Sequence, residues 1–195
     1  MESLTLTLPR EQTAAVAGLT WRIDPSHSTI GFSVKHMMFA TVRGRFGSFR
    51  GAIRFERDRP DDAEVEVEID VASIDTGITK RDDHLRSADF FDAATYPTIS
   101  FRSTHVEPVT RFGLHRWRMT GNLTISGVTR AVELAVEQTG VPGSHYSEVI
   151  EFAATAKINR KDFGMEFNLP IEGGGLVVGD EVKIAIAVQA TRIPS

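Results

Sequence analysis

The chain of 195 residues contains no cysteine. That absence excludes disulfides, thiolate metal sites and a cysteine nucleophile together, because each needs the sulfur. Nor is there an apolar run approaching the roughly 18–20 residues of a membrane-crossing helix. Positive charge is also short: 22 Lys and Arg stand against 26 Asp and Glu, a formal net charge of -4. A surface that neutralises nucleic-acid phosphates needs the opposite balance, and the local pair Arg116 and Arg118 around Trp117 does not supply it. The first twenty residues carry Glu2, Arg10 and Glu11 without a continuous apolar core, so they lack the pattern of a secretory signal. Residues 1–18 are expected to form a flexible tail ahead of one domain over residues 19–195, and the protein is expected in the cytoplasm.

What the chain has in abundance is alternation with period two. Val65, Val67 and Ile69 alternate with Glu66, Glu68 and Asp70. Trp117, Met119, Leu123 and Ile125 alternate with Arg118, Thr120, Asn122 and Thr124, and Gly121 takes an apolar position between them. The same pattern recurs at Ile30–Val34, Val132–Glu137 and Phe152–Ile158. Successive strand side chains point to opposite faces, so each run predicts a strand with one wet and one apolar face. Turn signals separate them: Gly44 and Gly47, Pro60, Gly113, Ser126-Gly127, Pro142-Gly143 and Gly173 to Gly175. The spacing permits hairpins and leaves little room for helical crossovers. About eight strands are expected, centred near 29–35, 46–55, 63–70, 98–105, 116–125, 128–137, 149–159 and 181–192. Thr76 to Pro97 breaks the rhythm and predicts one or two short helices ended by Pro97. A one-faced apolar sheet is covered either by closing into a barrel or by packing as a sandwich. Small inner residues such as Ala154, Ala156 and Gly121 beside Phe32, Trp117 and Phe152 favour an interior cavity.

Few motifs point to chemistry. Asp75-Thr76-Gly77 matches an aspartic-protease tripeptide, but it occurs once and those enzymes need two carboxylates sharing a proton. It is read as a turn at a strand end. Asp24-Pro25-Ser26-His27-Ser28 places the residue types of a triad side by side, where a strand would point them in alternating directions. It is read as a turn closed by side-chain-to-backbone bonds. None of the six histidines falls in a His-x-His or His-x-x-x-His pair, so no metal site is expected. No cofactor is expected either, since the glycine-rich stretches lack the context of a phosphate-binding loop. Two clusters remain: Arg81 to Phe91 and Arg160 to Phe167, each mixing aromatics with a guanidinium as the mouth or lid of a barrel would.

With these stretches the chain resembles the YceI-like family of lipocalin-like, polyisoprenoid-binding proteins. The similarity lies in WRIDPSHSTIGFSVKHMMFATVRGRFGSFRG from Trp21, ASIDTGITKRDDHLRSADFFDAATYPTISFRST from Ala72, MTGNLTISGVTRAVEL from Met119 and INRKDFGMEFNLP from Ile158. The resemblance implies an all-β, eight-stranded antiparallel barrel with a short helix or helices near one end. It also implies a tunnel for isoprenoid chains, quinone tails or similar amphiphiles, and commonly a homodimer. The hairpins at 110–116 and 141–148 look particular to this chain.

The expected role is therefore binding, carriage or sequestration of an isoprenoid lipid, without catalysis and without stable membrane insertion. Inner-face candidates are Phe32, Val34, Val67, Ile69, Phe101, Trp117, Met119, Phe152 and Ile158. His36, Arg81, His84 and Arg160 are the candidates for a headgroup or for fixing the mouth. Two other readings are kept: a hydrolase or isomerase acting on an amphiphile inside the barrel, through Asp24, His27 and Ser28 or Asp82 and His84, and a filled barrel acting only as an interaction module.

Overall fold

Every one of the expected strands forms, and their apolar faces turn to a common interior. The computed structural model describes residues 20–37, 40–56, 59–109, 115–140, 148–170 and 177–193. The expected tail at 1–18, the tips of the two individual hairpins and the glycines at 113, 143 and 173–175 lie outside these residues. The strand segments are β1 (Thr20–Ile23), β2 (Thr29–His36), β3 (Ala40–Phe46), β4 (Phe49–Glu56), β5 (Arg59–Asp70), β6 (Ile74–Asp75), β7 (Thr98–Pro108), β8 (Arg116–Ile125), β9 (Val128–Gln138), β10 (Val149–Asn159) and β11 (Val178–Arg192). Among the described residues there is one α-helix, α1 (Thr79–Arg86).

All pairings are antiparallel, and the order β1-β4-β5-β7-β8-β9-β10-β11 returns to β1. β2, β3 and β6 continue β1, β4 and β5 across short interruptions, so the eleven segments make an eight-stranded barrel. The interruptions lie side by side on three neighbouring strands. Between β1 and β2, Asp24 caps a 3-10 turn that starts at Pro25 by accepting from the Ser26 N–H at 2.9 Å. Between β3 and β4, Gly47 N donates to Ser73 O at 3.1 Å. Between β5 and β6, Asp70 caps a 3-10 turn over Val71–Ser73. Below this seam the ring is closed. Above it β6 pairs only with β3, and α1 with the following residues to Pro97 covers the gap before β7.

Two sequence expectations are corrected here. The helix ends at Ser87, well before Pro97, because the Ser87 N–H and hydroxyl both bond back to His84 O. Gly44 is not in a turn; it sits inside β3 opposite Phe32. A Cβ there would lie 2.4 Å from Phe32 Cζ, so glycine is needed for the ring that crosses it. Ser126-Gly127 does turn as expected. Both have positive φ (49° and 74°), the geometry of a type I′ hairpin that matches strand twist. Tyr96 covers Gly127 from outside.

Gly121 repeats the logic of Gly44 at the barrel centre. Its missing side chain leaves no void, because the Phe101 ring lies over it, 2.3 Å from where a Cβ would stand. Gly121→Ala is expected to destabilise the fold by about 1–3 kcal/mol through this overlap. Adding Phe101→Leu should cost less than the sum of the two single changes, as measured by urea unfolding of the double-mutant cycle. An additive cycle would contradict the ring-over-glycine contact.

Candidate functional site

The upper half of the barrel encloses a cavity of about 200 Å³. Its wall comes from the inward positions of nearly every strand, including Phe32 and Val34 of β2, Val67 and Ile69 of β5, and Ile184, Ile186 and Val188 of β11. Leu85 of α1, with Phe90 and Phe91 just after it, closes the side above the seam. Phe46 makes a tilted contact with Phe32 at 5.8 Å and an edge contact with Phe91 at 6.0 Å. Every lining residue except Arg160 is apolar. A larger hollow of about 940 Å³ lies on the outer wall across β1, β4, β5, β7 and β8. Two of its arginines pair with its glutamates, Arg50 with Glu68 and Arg102 with Glu66, so charge lines it where the interior cavity is apolar.

Of the residues singled out from sequence, Phe32, Val34, Val67, Ile69, Phe101, Ile158 and Arg160 line the cavity. Trp117, Met119 and Phe152 do not line it; they lie lower in the barrel interior, with Trp117 and Phe152 ring centres 6.0 Å apart. Trp21 is buried in the same interior; its Nε1–H has no hydrogen-bond partner among the described residues, a cost of about 1–3 kcal/mol. His36 shares the inward face of β2 at its upper end, opposite Val178. Arg81 and His84 stand on α1 outside the cavity wall. Arg81 donates to Thr76 Oγ1 at 2.7 Å and to Thr76 O at 2.8 Å, while buried Asp82 accepts from the Thr76 N–H. His84 bonds Asp89 at 2.8 Å and meets Phe90 and Phe167 edge-on. These contacts tie α1 to β6 on one side and to the 165–170 loop on the other.

Arg160 is 3% exposed, and its guanidinium is held entirely by protein oxygens. Nε donates to Gly179 O at 3.0 Å, Nη1 to Met165 O and Phe167 O, and Nη2 to Asp180. The cation thus pins the loop after β10 to the start of β11. The need for such a pin is visible in the ladder. β10 leaves β9 after Thr155, and a 3-10 turn (Arg160–Phe163) fills the opening with buried Phe163 and Met165.

The other motifs serve the backbone. Ser28 Oγ donates to Gln189 O at 3.2 Å and accepts from Gln189 N at 3.0 Å, bridging the interruption between β1 and β2. The residue types of a triad are therefore near in sequence, yet the hydroxyl is engaged away from His27, whose Nδ1 meets Asp24 at 2.7 Å. That hydrogen bond, followed by the Ser26 N–H, lowers the Asp24 carboxyl below its ordinary 3.8. Asp75 is lowered too, first by the Gly77 N–H and then by Arg45. Among the described residues no group of three His, Asp or Glu is placed to hold a metal ion.

Several lining residues are not among the inner-face candidates, Ile23, Phe46, Ile99 and Met165 among them. Val182, Ile184, Ile186 and Val188 do alternate, but outward Ala185 and Ala187 mute the contrast. Leu85, Phe90 and Phe91 come from a segment without strand period, and only its aromatic density marked it.

Comparison with known proteins agrees with this architecture. The family profile described as the YceI-like domain matches residues 21–190. A UPF0312 protein of Azotobacter vinelandii is 32% identical over 172 residues, covering 87% of this chain and 84% of that protein. One from Photorhabdus laumondii is 35% identical over 173 residues, covering 87% and 84%. Among solved structures, Burkholderia cenocepacia BcnA superposes with a TM-score of 0.75 at 28% identity, covering 87% of this chain and 99% of that one. A polyisoprenoid binding domain from Saccharophagus degradans, implicated in plant cell wall breakdown, gives 0.66 at 16% identity, covering 90% and 99%; at that identity the likeness is one of fold.

Replacing Arg160 by Ala should destabilise the fold by about 1–3 kcal/mol, since it leaves the carbonyls of Met165, Phe167 and Gly179 without their donor, while Asp180 keeps Lys161. Arg160→Lys should recover little, because an ammonium cannot span four separated oxygens. Chemical unfolding measures both. Carbon NMR titration should place Asp24 and Asp75 below 3.8. What each adds to stability is then present above the unfolded value and lost as pH falls through the lowered folded one.

Proposed function

The chain belongs to the YceI-like family, and from that premise we propose that it binds the apolar chain of an isoprenoid lipid, such as a polyprenyl or quinone tail, inside the barrel. The observation that carries the reading is the interior wall: a cavity lined by apolar side chains, its one cation neutralised and hydrogen-bonded within the protein. Such a lining offers no polar recognition and selects for hydrocarbon. Each buried methylene contributes roughly 0.8 kcal/mol, so two or three isoprene units supply on the order of 8 kcal/mol before association costs. The name of the Saccharophagus degradans neighbour is in keeping with this class of ligand.

At about 200 Å³ the cavity is smaller than the roughly 300–1,000 Å³ of most small-molecule sites. Five phenylalanine rings line it: Phe32, Phe46, Phe90, Phe91 and Phe101. In this proposal those rings swing aside to admit the chain, and Phe90 and Phe91 move first, because they belong to the cover above the seam and not to a closed ladder. The protein acts as a carrier or sequestering agent and not as an enzyme. Supporting that, His27 and Ser28 are held at the β1–β2 interruption by Asp24 and Gln189 and do not line the cavity. The pairing of two chains expected from the resemblance belongs to the same proposal, and sedimentation velocity checks it.

Organic extraction of the purified protein followed by mass spectrometry should recover a prenyl lipid. Added prenyl quinones should quench the fluorescence of Trp21 and Trp117, buried lower in the same barrel, more strongly as the tail lengthens. Ile184→Trp, which fills the cavity from β11, should weaken that binding about tenfold or more while the circular dichroism stays that of the parent. A parent protein that neither yields nor binds a prenyl lipid rejects the reading.

A further inference from the structure

An isoprenoid chain does not cross water freely, so an isoprenoid carrier needs a place to load. Three of the most exposed large apolar side chains lie at the cavity's upper end: Met37 (49%), Ile78 (53%) and Leu169 (54%). They are linked to the cavity wall through the backbone. Met37 N donates to Val177 O at 2.8 Å and Val177 N donates to Leu169 O at 3.0 Å, and the next residue, Val178, lines the cavity. Ile78 leads into α1, where β6 has left the sheet antiparallel to β3 and so runs toward the same end. Val109, Val149 and Ile193, at the opposite end, are exposed by only 37–39%.

Charge at the upper end has a sign. Lys35, Arg43 and Lys80 are exposed and form no ion pair among the described residues. Lys35 and Arg43 share the outer face of the β2–β3 hairpin, and Lys80 follows Ile78 by two residues. Most carboxylates nearby are already engaged: Asp75 by Arg45, Asp83 by Arg86, Asp89 by His84, and Asp180 by Arg160 and Lys161. Asp162 and Glu166, which are not, belong to the loop after β10. Apolar side chains flanked by unpaired lysine and arginine match the interface of a bilayer containing anionic lipid. A second copy of the chain fits less well, because a two-fold contact through this end would set the same cations against each other.

We propose that the upper end of the barrel docks on an anionic membrane surface, Met37, Ile78 and Leu169 entering its interfacial layer and Lys35, Arg43 and Lys80 facing its phosphates, so that a prenyl chain passes between bilayer and cavity without crossing water. The docking rests on the isoprenoid reading of the cavity. Flotation of the full chain with vesicles tests it. Phosphatidylcholine vesicles containing phosphatidylglycerol should carry the protein up, and phosphatidylcholine alone should not. Ile78→Glu with Leu169→Glu should cut the bound fraction about tenfold, and Lys35→Glu with Lys80→Glu by at least as much. All variants should still bind a short-tailed quinone added from water, read by tryptophan fluorescence, which shows that they fold.

The proposal is overturned if the parent ignores anionic vesicles, if it binds both vesicle types alike, or if the variants float as the parent does. It is also overturned if the substitutions split a dimer and leave flotation unchanged. Flotation without any quinone binding supports the docking and rejects only the cavity reading.

Discussion

The barrel depends on β1, four residues paired along both edges. Thr20 to Arg22 bond to β4, and Trp21 to Ile23 bond to the end of β11, closing a sheet that would otherwise expose two edges and its apolar face. So short a strand cannot hold a register by length. It is held by side chains at its end: Asp24 caps the turn that follows, Asp24 N donates to Gln189 O, and the Ser28 hydroxyl takes both backbone groups of Gln189. Gln189 lies between the stretch of β11 that pairs with β2 and the stretch that pairs with β1. One hydroxyl there replaces ladder bonds the interruption removes, and inward Trp21 and Ile23 can then be buried.

From closure follows the character of the interior. Most wall positions are the inward half of an alternating strand, so the interior inherits the apolar half of the sequence. The one charged group in the cavity wall is bound on the spot, the Arg160 guanidinium by Gly179, Met165, Phe167 and Asp180. Glycines on the inner face are matched with rings, Gly44 with Phe32 and Gly121 with Phe101, so small residues there do not signal empty space. The cavity arises from the cover: above the seam the wall is completed by Leu85, Phe90 and Phe91, side chains that no ladder holds.

Strands and their facing were legible in the sequence because alternation is a direct projection of the pleat. Val65–Asp70 and Trp117–Ile125 read as they fold. The seam was not legible, since β1 and β3 are short and their interruptions depend on contacts from Ser73 and Gln189, far away in the chain. Gly44 was misplaced for a related reason: a glycine required by a ring across the strand looks the same as one required by a turn. The wall residues on β2, β5, β7 and β10 followed from period two. The roles of Arg81, His84 and Arg160 did not, because their partners are carbonyls, a hydroxyl and rings set by loop geometry.

The line of interruptions across β1–β2, β3–β4 and β5–β6 divides the molecule by kind of bond. Below it, each of the ring's strands has a hydrogen-bonded neighbour on either side; above it, β6, α1 and the loop to Pro97 are joined to the rest largely by side chains. Substitutions therefore meet two different kinds of selection. A change in the lower ring disturbs strand pairing, while a change in the cover disturbs side-chain packing over the cavity. The two ends of this YceI-like barrel are thus held by different means, one by its ladders and the other by packed side chains.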